Sequence, residues 1–263
     1  MSWEEGERNR GWTRREWVKL GMTVGAIGTL ASLGAVSGRQ LVPPPIERSG
    51  EIRETIFYTK FPTPQWWNSK VGTPMKVGDF KEWEGATGVW RGLFQDDAHV
   101  PGTGFPVLVI RVKRDDTVFA APDDISLPEG FSLFYDDPTA DVDPDTGQPR
   151  GVRIIVAFDR CVHLCCYPGW HVVDNPPPDR RYIAPTPTYE KYGEDPIYCV
   201  CHGSQYEPMT LVQHVNPRNN ATYVGALHTH GPADRALPII AVKVEGGNLV
   251  GGMADPAWYV YCG

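Results

Sequence analysis

Positive charge is the first thing this chain is short of. Its 25 Lys and Arg stand against 32 Asp and Glu, for a formal net charge of −7 over 263 residues. An acidic surface argues against nucleic acid and for basic partners. No internal repeat is found, which excludes solenoid and propeller arrays. Long hydrophobic runs are scarce too, and a single uncharged segment, Leu20 to Gly38, approaches the length of a membrane span. Calcium-loop chemistry is incomplete: Asp136-Asp137 and Asp141-x-Asp143-x-Asp145 are interrupted by Pro144, and no Glu closes a twelve-residue loop at Val152. That stretch reads as an acidic solvated loop. Asn220-Ala221-Thr222 matches a glycosylation sequon by pattern alone. What is plentiful is turn and aromatic chemistry. The chain has 28 Gly, 25 Pro, 9 Trp, 11 Tyr and 9 Phe, a composition that suits many short strands better than long helices. The length accommodates a tail and one head domain of about 200 residues.

The charge is unevenly spread. Residues 1–40 carry six Arg or Lys against four Glu, so they are +2 and the remainder is −9. Thr13-Arg14-Arg15-Glu16-Trp17-Val18-Lys19 resembles the twin-arginine export signal. The uncharged segment that follows, at 1.5 Å per residue, reaches about 28 Å, enough to cross a hydrocarbon core of about 30 Å. Gly21-x-x-x-Gly25 and Gly28-x-x-x-Ser32 place small residues where a second membrane helix can approach. Arg8, Arg10, Arg14, Arg15 and Lys19 all precede the span, which puts the amino terminus in the cytoplasm and the remainder outside. The expected organisation is a cytoplasmic tail at 1–19, a retained anchor at 20–38 and a Pro-rich neck at 39–50, stiffened by Pro43-Pro44-Pro45. A signal peptide cut after Ala35-Val36-Ser37 is the alternative. Strands are expected at Val107–Val112, Val152–Phe158, Ile239–Glu245 and Asn248–Gly251, with Gly246-Gly247 turning a hairpin between the last two.

The chemistry is concentrated in two short loops. Cys161-x-His163 is followed thirty-six residues later by Cys199-x-x-His202, with Cys165, Cys166 and Cys201 inside the same loops. Two thiolates and two imidazoles make a metal site, suited to zinc or to a 2Fe-2S cluster held by two Cys on one iron and two His on the other. Six cysteines is an even count. If two hold metal, four remain for disulfides, which persist in an oxidising compartment.

Written out, Cys161-Val-His163-Leu164-Cys165-Cys166 and Cys199-Val-Cys201-His202-Gly203-Ser204-Gln205-Tyr206 resemble the two cluster boxes of the Rieske proteins of cytochrome bc complexes. The resemblance covers Gly151 to Gly252, while residues 46–150 match generic strand patterns only. It implies an all-β Rieske fold of antiparallel sheets, with a head over 51–263 and a cluster-binding subdomain at 159–236 inserted into a larger base, after one N-terminal transmembrane helix. Cys161 and Cys199 would hold the buried iron, and His163 and His202 the outer, reducible one. Ser204 and Tyr206 would donate hydrogen bonds to cluster sulfur, favouring a potential high in the range of roughly −150 to +300 mV. Cys166 and Cys201 match the disulfide that ties one loop to the other. Gly231-Pro232-Ala233, leading to Leu237-Pro238, is similar to the loop that covers the cluster, and Leu164, Gly203 and Pro232 would line it. A zinc knuckle accounts for the four ligands but not for these additional features.

The pattern is departed from in three places. Cys165 stands where the family usually has Gly, thirty-two residues separate Cys166 from Cys199 where the family often has about a dozen, and a second long loop is expected between Tyr206 and Gly231. His230, in that stretch with His214 and His228, reads as an ordinary surface histidine. Cys165 and Cys262 are left over, as a second bridge or as free thiols.

The function implied is that of an electron-transfer subunit in the cell membrane with an extracytoplasmic, periplasmic head, within a quinol-cytochrome c-type oxidoreductase. With cytochrome b it would oxidise quinol, His202 taking the proton, and pass electrons to a cytochrome c or a cupredoxin, with a dimeric complex among the expected assemblies. Alternatives are the small Rieske subunit of another exported oxidoreductase such as arsenite oxidase, and a Rieske oxygenase component. The oxygenase needs a further iron site of two His and a carboxylate, for which His228-x-His230 is insufficient.

Overall fold

The computed structural model describes residues 50–112, 121–123, 125–142, 145–147, 149, 151–170, 197–217 and 219–252. The export signal, the 20–38 segment, the neck up to residue 49, the proline-rich stretch 171–196 and Cys262 fall outside them. Among the described residues no helix is long and apolar enough to cross a membrane. The described part is β structure with two 3-10 turns, at Asn68–Lys70 and Val77–Asp79, and no α-helix.

The centre is a five-stranded antiparallel sheet in the order β2-β3-β6-β8-β7, built from Phe57–Tyr58 (β2), Gly85–Trp90 (β3), Phe105–Val112 (β6), Tyr135–Asp137 (β7) and Val152–Phe158 (β8). Every residue of β8 is buried. Neighbouring side chains on a strand point to opposite faces, so a strand with no exposed position is covered on both sides. Ile154, Val156 and Phe158 of β8 join Val107 and Val109 of β6 in one core, against Val242 and Leu249. Ile155 and Ala157 join Leu108 and Ile110 in a second core, against Ile197, Tyr206, Leu211 and Val224. The segment Val152–Phe158, apolar but for Arg153, is therefore a strand between two cores.

The second core is closed by a four-stranded antiparallel sheet, β12-β11-β10-β9, of Ile197–Tyr198 (β9), Gln205–Val215 (β10), Thr222–His230 (β11) and Leu237–Pro238 (β12). This corrects the expectation of a loop between Tyr206 and Gly231. The stretch is a long β10–β11 hairpin, and its periodicity is hidden by a register shift between Glu207 and Leu211, where β10 carries extra residues against its partner. His230, expected at the surface, is buried at 7%.

The remaining strands are Glu51–Arg53 (β1), Gly92–Gln95 (β4) and Ala98–His99 (β5), ordered β1-β4-β5, and the hairpin of Ala241–Glu245 (β13) and Asn248–Gly252 (β14). Gly246 and Gly247 turn that hairpin with φ of +57° and +84°, the two positive values that a two-residue primed turn demands. The acidic stretch is less solvated than expected. Asp141 accepts from the buried Arg111 at 2.5 Å, and Asp136 pairs with the buried Arg153 at 3.3 Å. These carboxylates neutralise buried guanidinium groups.

Candidate metal centre

The candidate ligands stand at strand ends. β8 runs out into Asp159-Arg160 and the first loop, and β9 and β10 are joined by the second loop, with Tyr198 paired to Gln205. Both loops close by the same pair of hydrogen bonds. In the first, Cys161 N–H donates to Cys166 O at 2.7 Å and Cys165 N–H to Cys161 O at 3.0 Å. In the second, Cys199 N–H donates to Ser204 O and Gly203 N–H to Cys199 O, both at 2.9 Å. Cys161 thus corresponds to Cys199 and Cys165 to Gly203. Both members of the latter pair have positive φ, +61° and +83°. The left-handed turn is kept where Cys stands in place of Gly, at the strain a Cβ imposes there.

The loops bring the four expected ligands together in two pairs. Cys161 and Cys199 are free thiols, each 1% exposed. Their hydrogen bond to one another drives the Cys161 thiol down and the Cys199 thiol up. The Tyr206 hydroxyl, the His163 N–H and the Ser204 hydroxyl also favour the Cys161 thiolate. The Cys199 sulfur accepts from the N–H groups of Cys201 and His202. Such a site readily carries one negative charge before any metal enters. The rings of His163 and His202 meet edge to face, with centroids 4.9 Å apart. His163 Nδ1 is buried with no hydrogen-bond partner, a costly state for an imidazole nitrogen unless something ligates it.

Tyr206 is fully buried, with its hydroxyl 3.1 Å from Cys161 Sγ. Burial first, and then the Cys161 sulfur, hold its phenol well above the ordinary value, so the hydroxyl keeps its proton and can donate it to that sulfur. Ser204 is also fully buried, and its Oγ accepts from Ala233 N–H at 3.2 Å. Cys166 and Cys201 form a disulfide between the loops, with Cα atoms 6.5 Å apart. Cys165 is disulfide-bonded as well; the expected choice of Cys262 as its partner concerns a residue outside the described set.

The Gly231-Pro232-Ala233 loop closes the third side. Gly231, at φ +89°, lies so near the second loop that a Cβ there would fall 2.4 Å from Ser204 Cα. Pro232 is half-buried, Gly203 is buried, and Leu164 is exposed at 57%. Leu164 therefore presents its side chain to solvent. Two arginines that sequence reasoning passed over brace the loops. Arg235 donates to Val162 O at 3.4 Å. Arg160 donates to Cys165 O at 3.0 Å while stacking 3.7 Å over the Tyr167 ring. Arg235 lies two residues after Ala233, but nothing in the local sequence marks it as a brace.

The donor set suits a group larger than one ion. A tetrahedral zinc draws all four donor atoms to within about 4 Å of one another. Among the described residues the one group so packed, within 4.8 Å, is Cys166, Cys199 and Cys201, and it contains no histidine. Two of its sulfurs are already in the disulfide. Two free thiols, two imidazoles in ring contact and an unpartnered His163 nitrogen are a donor set that a two-iron cluster can use. No protein-family model matches the chain, and no curated protein is significantly similar to it.

Proposed function

We propose that this chain is a membrane-anchored Rieske iron-sulfur protein, the electron-transfer subunit of a quinol-oxidising complex. The observation that carries the reading is the pair of equivalent loops: they bring two buried thiols to one another and two imidazoles to one another, and the Tyr206 hydroxyl lies 3.1 Å from Cys161 Sγ. In this reading Cys161 and Cys199 hold one iron, and His163 and His202 the other. When bound, a 2Fe-2S cluster supplies a one-electron redox centre whose histidine ligation raises its potential.

The chain's own groups supply the rest. The disulfide fixes one loop to the other, and Gly231-Pro232-Ala233 excludes water on the third side. The hydroxyls of Tyr206 and Ser204 stabilise negative charge on sulfur. His202 is half-buried between the exposed Cys201 and the buried Gly203, and in this reading it accepts a hydrogen bond and then a proton from quinol held by cytochrome b. The head then delivers its electron to a cytochrome c or cupredoxin carrier.

The test is an absorption and electron paramagnetic resonance spectrum of the purified full-length protein, before and after reduction. A 2Fe-2S signal with histidine ligation supports the reading. One zinc per chain and no iron would overturn it. Copurification with haem b separates a cytochrome bc subunit from the subunit of another exported oxidoreductase.

A further inference from the structure

On the side of β8 that faces the loops, a cleft of about 840 Å³ opens between the five-stranded sheet and the segment after Cys166. Neither His163 nor His202 lines it. Its floor is one face of the sheet. Thr87 of β3 pairs with Leu108 of β6, and Leu108 with Ala157 of β8. Asp159, which donates its N–H to Pro106 O at 2.9 Å, continues the same face two residues on. Thr87, Leu108 and Asp159 all line the cleft.

Two polar atoms on this floor are unsatisfied. Thr87 Oγ1 and Asp159 Oδ1 are buried with no hydrogen-bond partner, on residues only 7% and 2% exposed. Buried polar groups without partners cost about 1–3 kcal/mol each, so such a pair on a cavity floor marks where a ligand would bond. The walls are aromatic, formed by Phe61, Trp67, Tyr167 and Trp170. Trp67 and Trp170 give their indole N–H groups to Thr59 O and Trp83 O, both at 3.0 Å. Those N–H groups are thus already used, and the rings offer apolar surface.

We infer that this cleft is a second binding site, for a small aromatic molecule that carries a hydroxyl group and no positive charge. The volume lies within the range of about 300–1,000 Å³ typical of small-molecule sites, where apolar walls and a few convergent polar groups set orientation. A ligand hydroxyl can donate to the Asp159 carboxyl or accept from the Thr87 hydroxyl. Positive charge on the ligand is disfavoured. Lys60 and Arg160 stand among the lining residues against a cation. The site does not depend on the metal centre.

The test titrates the full-length protein with 4-methylphenol and with toluene, read by ligand-detected NMR. 4-Methylphenol should bind saturably, and toluene at least about tenfold more weakly, because it leaves both floor atoms unpaired. Thr87→Val should move 4-methylphenol towards the toluene affinity. Lys60→Trp, at an exposed position among the lining residues, should block both ligands without touching the floor. Absence of saturable binding, equal affinities for the two probes, or undiminished binding to Lys60→Trp would each overturn the assignment. None of these readouts involves iron, so they stand or fall separately from the proposed redox function.

Discussion

Gly231 and Ser204 approach so closely that their backbones leave no space for a single added carbon: a Cβ on Gly231 would lie 2.4 Å from Ser204 Cα and 2.5 Å from Ser204 N. The obstruction is backbone, which cannot swing aside as a side chain would. Gly231→Ala combines that clash with a non-glycine residue at φ +89°. It should cost about 3 kcal/mol and lift the cover loop from the second loop. Thermal melting and the rate at which the visible absorption bleaches measure the two effects. A variant as stable as the parent would show that the cover loop does not pack as described.

Tyr206→Phe removes the donor 3.1 Å from Cys161 Sγ and leaves the ring in place. A hydrogen bond to a charged acceptor is worth about 1.5–3 kcal/mol, and one electron converts about 1.4 kcal/mol to 59 mV. Only the difference between oxidation states counts, so the potential should fall by at most about 60–130 mV. Ser204→Ala should act in the same direction, and quinol oxidation should slow with both. Voltammetry reads the shift directly. An unchanged potential in both variants with the centre assembled would remove the physical basis for a high-potential assignment.

His202→Ala should abolish the reduced spectrum and quinol oxidation together, since in the proposed function one side chain serves as ligand and proton acceptor. His230 pairs in register with Gln205 and is buried at 7%, so His230→Ala should cost about 1–3 kcal/mol in packing while the centre still assembles. Turnover lost in His230→Ala with an intact spectrum would move the proton route to β11.

Glu207 is 1% exposed, and burial raises its carboxyl from 4.5 to about 7. It is protonated in the folded state over a range where the unfolded chain has ionised. Its contribution is therefore complete below about pH 4.5 and declines as pH rises to about 7, by up to about 3 kcal/mol. Glu207→Gln keeps an acceptor for Met209 N–H, now 2.6 Å from Oε1, and should flatten that decline. Asp159, raised to about 8 by burial, gives a slope of the same sign in both proteins, so the difference between them is the measurement. Urea unfolding at pH 4.5 and pH 8 provides it, and identical slopes would refute the assignment.

Peptide mapping without reduction should return Cys166 joined to Cys201, a second bridge at Cys165, and Cys161 and Cys199 alkylated once metal is removed. By count Cys262 is the cysteine left for Cys165. A Cys165–Cys201 peptide would show that the first loop has shifted.

Much of the two-loop arrangement was legible because it is local in sequence. Cys161, His163, Cys199 and His202 declare themselves by spacing, and β6, β8, β13 and β14 by apolar, β-branched runs. Gly246-Gly247 announced a turn that the register confirms. The β10–β11 hairpin was not legible, since the register shift after Glu207 breaks the alternation and His214, His228 and His230 made the stretch look like surface. The pairing of Asp141 with Arg111 was hidden for a different reason. The two are thirty residues apart, and no local pattern carries a contact made by the fold. The left-handed conformation of Cys165 could be anticipated from the glycine expected there, whereas the bracing by Arg160 and Arg235 could not.

β8 is a party wall. Ile154, Val156 and Phe158 serve one core while Ile155 and Ala157 serve the other, and the same strand ends in the loop that begins at Cys161. A substitution on it must satisfy two tenants at once. Among descendants of this sequence, drift should therefore be slowest along Val152–Phe158, and a change at any of its positions should select for a compensating change across the wall before the loops themselves can vary.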